Sequence, residues 1–541
     1  MDARARDSFS AAGRLALCFA WAGLPALVYA WQTARAGHPI GAAAMLLVSI
    51  GALLLPSLWA RSIRGFLLSL LPFALLTVCM VCYAVEYRSP IMPGFVSTVL
   101  ITDPRIDLEE IAHYWWILAA SVACAILYAA VAVSFRAAPL RGRAYAAGWA
   151  IWGLVASVYA PYAAQWLWMN RGISVKDTFL SRAYPQSLYY AAEPVWTASR
   201  EAQPGDRTPI GDKYGVAPPA RPAGRELFVL VIGETQREAT WHELEGRLPA
   251  AGGNLVRFHD VLAQANWSRQ SIPFVASGAL TPQDELALPT ITDWERWAGF
   301  ATAVLSNNAD YRFGRGADVK TILGERADVL RYNRYDHELL PMLAQLLGHE
   351  GLDKLCVTLH MVGSHGVYRE RYEPRFGRFP VDLDDGLQAT RNEYRNTIVM
   401  AQDFVRRLVE RLEHYDGVAF LAFTSDHGEN LREINGLVEH VTMTPTEYEL
   451  KVPMFFWAND RYVRAHEEAW RALHANAARP VANDNVVPTL LDAMGLLEQA
   501  KRVYRYGRSL MREAPDEARF YYTPDYARHP ERDMLVDASA R

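Results

Sequence analysis

The sequence predicts two unlike parts: an N-terminal five-helix transmembrane domain, and a C-terminal α/β domain whose mostly parallel sheet is flanked by helices. Three observations carry this. Nearly all long apolar runs fall before residue 170, and beyond it short apolar runs alternate with amphipathic ones. A chain of 541 residues also exceeds what one hydrophobic core organises. The average of 51% hydrophobic residues hides the division, because it would suit an ordinary soluble protein.

Residues 15–31, 40–60, 66–87, 114–135 and 145–169 are long and apolar enough to cross a hydrocarbon core, which takes about 20 residues as a helix. Arg4, Arg6 and Arg14 precede the first, as in a signal peptide. No small-residue cleavage site follows it and four further spans do, so an uncleaved anchor is expected. Arginines cluster before the first span, at Arg61 and Arg64 between the second and third, and at Arg136, Arg141 and Arg143 between the fourth and fifth. Basic loops stay in the cytoplasm, so the N-terminus is placed there and everything after residue 169 outside. Trp115, Trp116, Trp166 and Trp168 fall at outer span ends, where interfacial aromatics belong. Between the third and fourth spans, Thr102-Asp103-Pro104 reads as a helix entry, followed by Asp107 and Glu109. An ordinary capped interfacial helix is one reading; the other is that Thr102, Asp103, Asp107 or Glu109 meets a cationic lipid head group.

Residues 170–200 are amphipathic and aromatic, as suits helices lying on a bilayer, and the Pro/Gly-rich residues 217–224 read as a linker. The organisation is then a membrane domain over 1–169, a bridge and linker over 170–225, the α/β domain over 226–525 and a tail over 526–541. Within the α/β domain, residues 228–232, 302–306, 355–361, 418–425 and 452–458 read as strands buried on both faces, and 395–415 as an amphipathic helix. Ligands bind such sheets at the carboxyl ends of strands, so the residues after each strand matter most.

There the polar residues converge. The first strand runs into Gly233-Glu234-Thr235-Gln236-Arg237, the third into Gly363-Ser364-His365-Gly366, and the fourth into Asp426-His427-Gly428-Glu429. Asp426 and His427 alone would pass for a surface turn, but three such loops from distant strands point to one site. His440 is a further candidate. Asn307, Asn308 and Arg312 follow the second strand and are candidate phosphate contacts. Between the first two strands, a polar turn ending at Pro273 carries Ser268 and Ser271. Either could cap a helix; as a nucleophile, a serine here would need a metal, since no Gly-x-Ser-x-Gly elbow is present.

Composition excludes other classes. A formal net charge of -4 gives no basic field for nucleic acid. Four of the five cysteines, Cys18, Cys79, Cys82 and Cys124, lie in apolar runs and Cys356 stands alone, so neither a disulfide framework nor a zinc motif is expected of them.

The motifs VIGETQRE, the serine-bearing turn ending at Pro273, LHMVGSHGVYRERYEP and TSDHGENL, in that order behind five spans, resemble the bacterial phosphoethanolamine transferases, membrane-anchored members of the alkaline phosphatase and sulfatase superfamily. The resemblance implies a sulfatase-like domain with a zinc ion held by Glu234, Asp426, His427 and the nucleophile. In the family that nucleophile is usually a threonine five residues before a proline; here the position is Ser268. His365 and His440 match outer histidines that touch the phosphoryl group or a second zinc. The implied activity moves phosphoethanolamine from phosphatidylethanolamine to lipid A or another envelope glycan, through a covalent intermediate on Ser268, with His365 serving the leaving group. The implied location is the bacterial inner membrane, multi-pass, with the catalytic domain periplasmic. The soluble domain departs from lipid A-modifying members in lacking disulfides.

Three rivals remain at this point. A phosphoglycerol transferase of the lipoteichoic-acid-synthase type shares the five spans and metal, but GETxR and the paired histidines argue against it. A sulfate-ester hydrolase needs (C/S)-x-P-x-R, and Ser271-Ile272-Pro273-Phe274-Val275 ends in valine. A non-catalytic sensor or scaffold would be favoured by a missing ligand, and none is missing.

Overall fold

A computed structural model gives the fold; outside its described residues lie chiefly 92–111, 136–150, 152–182, 193–209, 246–253 and 319–334, with some shorter stretches and both termini. Thr102, Asp107, Glu109 and the predicted fifth span therefore lie outside the described residues. The chain divides into two compact units, one within Met1–Leu100 and Glu110–Thr197, the other within Ala198–Arg541.

The first unit is helical: α1 (Ala3–Ala22), α2 (Leu24–Arg35), α3 (Pro39–Leu54), α4 (Ile63–Ser69), α5 (Leu71–Tyr87) and α6 (Trp115–Ser134). Among the described residues, two straight stretches, Pro39–Leu58 and Trp115–Ser134, are long and apolar enough to cross a membrane. Two more qualify only as bent pairs, α1 with α2 at 59° and α4 with α5 at 41°. The first and third predicted spans are thus broken helices. Pro25 and Pro72, each second in its helix, lack the amide that would continue the hydrogen-bond ladder across the break.

The second unit carries a six-stranded sheet of β1 (Glu226–Gly233), β2 (Leu255–Phe258), β3 (Ala301–Ser306), β4 (Lys354–His360), β5 (Val418–Ser425) and β6 (Met454–Ala458). Across the sheet the order is β2-β6-β5-β1-β4-β3. β1 pairs in parallel with β4 and β5, and β3 with β4. All five predicted strands are present. Two features differ from a uniform parallel sheet: β6 runs antiparallel to β5, and the short β2 pairs with β6 at the edge. With only four residues and half-buried positions, β2 carries little sequence signal.

All eight residues of β1 are buried. Because strand side chains alternate between faces, Phe228, Leu230 and Ile232 join one core cluster while Leu227, Val229 and Val231 join the other. Each buried side chain of this size is worth about 1.5–3 kcal/mol, so both helical layers are held by the same strand. On the second face lies α10 (Gly386–Glu413), preceded in the chain by α7 (Glu238–Glu243), α8 (Ser268–Ser277) and α9 (Leu339–Leu347). α10 starts well before the predicted residue 395, because the Asp385 side chain accepts from the amides of Leu387 and Gln388 and caps it there.

The register brings the strand ends level. Gly233 pairs with Ser425, while Ile232 and Ser306 both pair with His360. Glu234, Asp426, Asn307 and Met361 therefore leave the sheet at one edge.

Candidate functional site

Glu234 is delivered by a strained turn. Thr235 has φ +59°, a left-handed conformation costly for a β-branched residue, of order 1–3 kcal/mol. In that conformation its amide donates to Asp426 Oδ1 at 3.0 Å and its hydroxyl to Glu234 Oε1 at 2.8 Å. The Tyr394 hydroxyl locks the turn by donating to the Thr235 carbonyl at 2.8 Å. Asp426 follows β5, its own amide donating to the Gly233 carbonyl at 3.1 Å. The His427 amide then donates to Asp426 Oδ1 at 2.7 Å.

Sequence reading makes the turn before Pro273 end at that proline; the structure instead places Pro273 inside α8, which starts at Ser268 and closes at Gly278. Gly278 takes φ +68°, the left-handed helix stop that glycine adopts without a Cβ penalty. Ser268, the first helical residue, points its Oγ to Glu234 Oε1 at 2.8 Å and lies 3.1 Å from His427 Nε2. The other candidate serine is turned away: Ser271 Oγ donates to the Asp426 carbonyl at 2.5 Å.

Glu234, Asp426 and His427 are each fully buried, with one ligand-type atom apiece mutually within 4.8 Å. His427 Nε2 is 3.5 Å from Glu234 Oε1 and 3.4 Å from Asp426 Oδ2. Asp426 Oδ2 has no hydrogen-bond partner. His427 Nδ1–H donates to the Gly428 carbonyl at 2.8 Å, which leaves the Nε2 lone pair facing the carboxylates. These residues fit a zinc ion. Two carboxylates, a neutral imidazole and a hydroxyl are its donor set, and four ligands at about 2.0–2.1 Å in a tetrahedron stand roughly 3.3 Å apart. Ser268 Oγ and His427 Nε2 already stand 2.8–3.5 Å from their neighbouring donors, close to such spacings.

Without a cation the cluster is electrostatically strained. Burial and the charge of Glu234 push Asp426 up to about 7. Burial would depress His427, yet Asp426 and Glu234 raise it to about 10. Burial would likewise raise Glu234, but the hydrogen bond and charge of His427, with His365 and His360, hold it well below the carboxylate range. Two buried carboxylates share the positive charge of one imidazole.

Around them sit polar groups of two kinds. On the partly open side, burial pushes the half-buried His365 down to about 3, with Arg371, His440 and His427 acting in the same direction against Glu234. His440 is pushed down to about 4 by burial and by His427, whose ring is 4.3 Å away, and its Nδ1 is 3.4 Å from Glu429 Oε1. Beneath Glu234, Asn308 Nδ2 donates to Glu234 Oε2 at 3.1 Å and to the Met361 carbonyl at 3.1 Å. Asn307 is occupied elsewhere, donating to Asp336 Oδ1 at 2.9 Å. Arg312 lies in a two-residue strand paired with residues 317–318.

Three participants escape a reading by motif. Asp336 accepts from Asn307, from the Val362 amide at 2.9 Å and from the Gly363 amide at 3.0 Å, and so fastens the loop that carries His365. His360, fully buried at the end of β4, bonds Ser306 Oγ through Nδ1 at 3.0 Å and lies 3.4 Å from Asn308 Nδ2. Glu429 backs His440. Gly363 is required by proximity: at φ +53°, any Cβ there would overlap the backbone of Glu234. Glu429 and His360 lie inside the quoted motifs TSDHGENL and LHMVGSHGVYRERYEP, which give them no role, and Asp336, in a polar run, has no local signature.

The sulfatase family profile matches residues 226–496. Over 214 residues the chain is 27% identical to the Kdo(2)-lipid A phosphoethanolamine 7''-transferase of Escherichia coli (strain K12), a match spanning 37% of this chain and 35% of that protein. The chain thus aligns with about a third of that curated relative's length. Among solved structures, it is similar to the integral membrane lipooligosaccharide phosphoethanolamine transferase A (EptA) of Neisseria meningitidis. The TM-score is 0.63 at 18% identity, over 89% of this chain and 95% of that one. It is also similar to the C-terminal periplasmic domain of EcEptC from Escherichia coli, solved in complex with Zn. Here the TM-score is 0.50 at 18% identity, over 59% of this chain and 98% of that one. At such identities the structural likenesses establish the fold.

Proposed function

The chain belongs to the sulfatase family, and we propose that it is a membrane-anchored phosphotransferase that moves phosphoethanolamine from phosphatidylethanolamine to a hydroxyl of lipid A or another envelope glycan. The observation that carries this reading is the seating of Ser268 Oγ, 2.8 Å from Glu234 Oε1 and 3.1 Å from His427 Nε2, among three buried ligand-type side chains. The curated relative named above suggests the head group and the acceptor class.

Glu234, Asp426, His427 and Ser268 would hold a zinc ion, which when bound would lower the pKa of the serine hydroxyl and polarise a phosphoryl oxygen. The chain's own residues do the rest. Glu234 Oε1 accepts the Ser268 hydroxyl hydrogen and aims the oxygen. The start of α8 places the positive end of a helix dipole beside the phosphoryl group. Ser268 Oγ forms a bond to phosphorus as the bond from phosphorus to the diacylglycerol oxygen breaks, and the proton that Glu234 took from Ser268 passes through His365 to the departing alkoxide, which leaves as diacylglycerol. An acceptor hydroxyl then gives its proton to His365 and attacks the phosphoserine, the bond from phosphorus to Ser268 Oγ breaks, and that proton returns to Ser268 to restore its hydroxyl. In the second step the geometry of the first is retraced.

In this reading the chain is anchored in the bacterial inner membrane by its apolar helices, with the N-terminus cytoplasmic and the α/β domain periplasmic, an orientation that the arginine distribution supports. Incubating full-length protein with phosphatidylethanolamine carrying a labelled head group tests the reading. Ser268 should acquire the phosphoethanolamine mass increment, and lipid A or a glycan fraction should discharge it. Absence of head-group capture at any residue would overturn it.

A further inference from the structure

Among the described residues a second group of metal-ligand type lies apart from Glu234, Asp426 and His427 and shares no residue with them: Glu238, His242 and His259, whose ligand atoms also fall within 4.8 Å of one another. We propose that these three form a second divalent-cation site, of the kind that takes zinc, nickel or copper, on the surface of the α/β domain.

The local structure explains how they meet. Glu238 and His242 are four residues apart on α7, so their side chains lie on one face of the helix. His259 is the first residue after β2 and brings its ring within 6.0 Å of the His242 ring. The site has a closed and an open side. Glu238 is 7% exposed, whereas the side chains of His242 and His259 are 68% and 56% exposed.

A second observation points to a ligand. Glu238 Oε1 accepts from the Arg257 guanidinium at 2.9 Å, but Oε2 is buried with no hydrogen-bond partner. Such a buried carboxylate oxygen is costly unless something positive meets it. Arg257 also pairs with Glu245, so two carboxylates face one cation and a single negative charge is left for a metal to offset. Glu245 Oε2 lies 3.1 Å from His242 Nδ1; that contact fixes the tautomer with the Nε2 lone pair available, the carboxylate–histidine support common behind metal ligands. Two imidazoles and one carboxylate select borderline transition metals over calcium or magnesium, which prefer all-oxygen shells. Occupied, the site would tie α7 to the edge strand β2, with the exposed histidine side leaving coordination positions for water or an outside ligand.

This inference stands whether or not the chain is a phosphoethanolamine transferase. Full-length protein in detergent, stripped with a chelator and titrated with zinc, should bind two equivalents. His242→Ala/His259→Ala should bind one, and Asp426→Ala should keep the equivalent that the histidine pair loses. Copper(II) added to Asp426→Ala should give an electron paramagnetic resonance spectrum split by imidazole nitrogens, and the splitting should vanish when His242→Ala and His259→Ala are added. Both histidines are exposed, so the variants should fold. Equal zinc stoichiometry in wild type and His242→Ala/His259→Ala, or a copper spectrum unchanged by those substitutions, would overturn the proposal.

Discussion

The hydroxyl of Ser271 donates to the backbone carbonyl of Asp426 at 2.5 Å. That one bond separates two serines only three residues apart. Ser271 supports the ligand loop from behind, while Ser268 one turn earlier faces Glu234 and His427. Ser268→Ala should therefore abolish the covalent head-group adduct and lower turnover by at least 100-fold. Ser271→Ala should lose about 1 kcal/mol of stability and keep the adduct. Peptide mass spectrometry after incubation with labelled phosphatidylethanolamine reads both, and an adduct on Ser271 in the Ser268→Ala protein would sink the assignment.

Removing the cation should cost both activity and stability. Glu234 and Asp426 then face each other with one imidazole between them, so a chelator should lower the unfolding temperature of the full-length protein and stop head-group transfer. Zinc should restore both. Full turnover in protein shown by elemental analysis to be metal-free would contradict the mechanism.

Asp336 touches no reacting atom in this scheme, yet it clamps Asn307 and the amides of Val362 and Gly363. Asp336→Asn replaces an acceptor oxygen with a donor and sets it against a buried amide, which should cost about 1–3 kcal/mol. Thermal unfolding would report that loss. Because the His365 loop loosens with it, turnover should fall more than zinc affinity does; a variant with wild-type turnover and stability would show that the clamp is idle.

Gly363→Ala presents a different conflict, since the added methyl meets the Glu234 backbone at a positive φ. The expected loss is about 2 kcal/mol or more, the combined result of backbone strain and overpacking. Weaker zinc binding should accompany it, because the displaced segment carries a ligand; unaltered zinc affinity would refute that coupling.

Burial pushes the fully buried His360 down to about 4, against an unfolded value near 6.5. Between those two pH values the unfolded chain binds more protons than the folded one, so stability is full above about 6.5 and falls on acidification toward about 4. The full effect of this group is roughly 3 kcal/mol. His360→Gln should flatten the dependence of unfolding temperature on pH in that window, measured on chelated protein. An unchanged slope would assign the acid sensitivity to other groups.

The five long strands were legible because burial on both faces leaves unbroken apolar runs, and Glu234, Asp426 and His427 were legible because each follows such a run. β2 was not, since a four-residue edge strand owes its form to pairing with β6 and hardly at all to its own composition. The direction of β6 was equally hidden: an apolar run carries no arrow. Asp336 and His360 were invisible for a related reason. A buried polar residue that serves a site through another residue is marked by its partners in space, and those partners, Asn307 and Gly363 for one and Ser306 for the other, are scattered along the chain.

The antiparallel course of β6 bears on how such a chain diversifies. A crossover between parallel neighbours must travel the length of the sheet, but residues 426–453 leave β5 and enter β6 at the same edge. That excursion begins with two side chains of metal-ligand type and ends with the segment whose Tyr448 and Glu449 carbonyls receive the Glu429 and Gly428 amides. Between those fixed ends its length is thermodynamically cheap to change, about 0.6 kcal/mol for each doubling of a flexible loop. Insertions there that spare His440 would reshape the surface beside the site while leaving the sheet register and the Asp426–His427 pair in place, so under the proposed function new acceptor preferences can evolve by editing one hairpin.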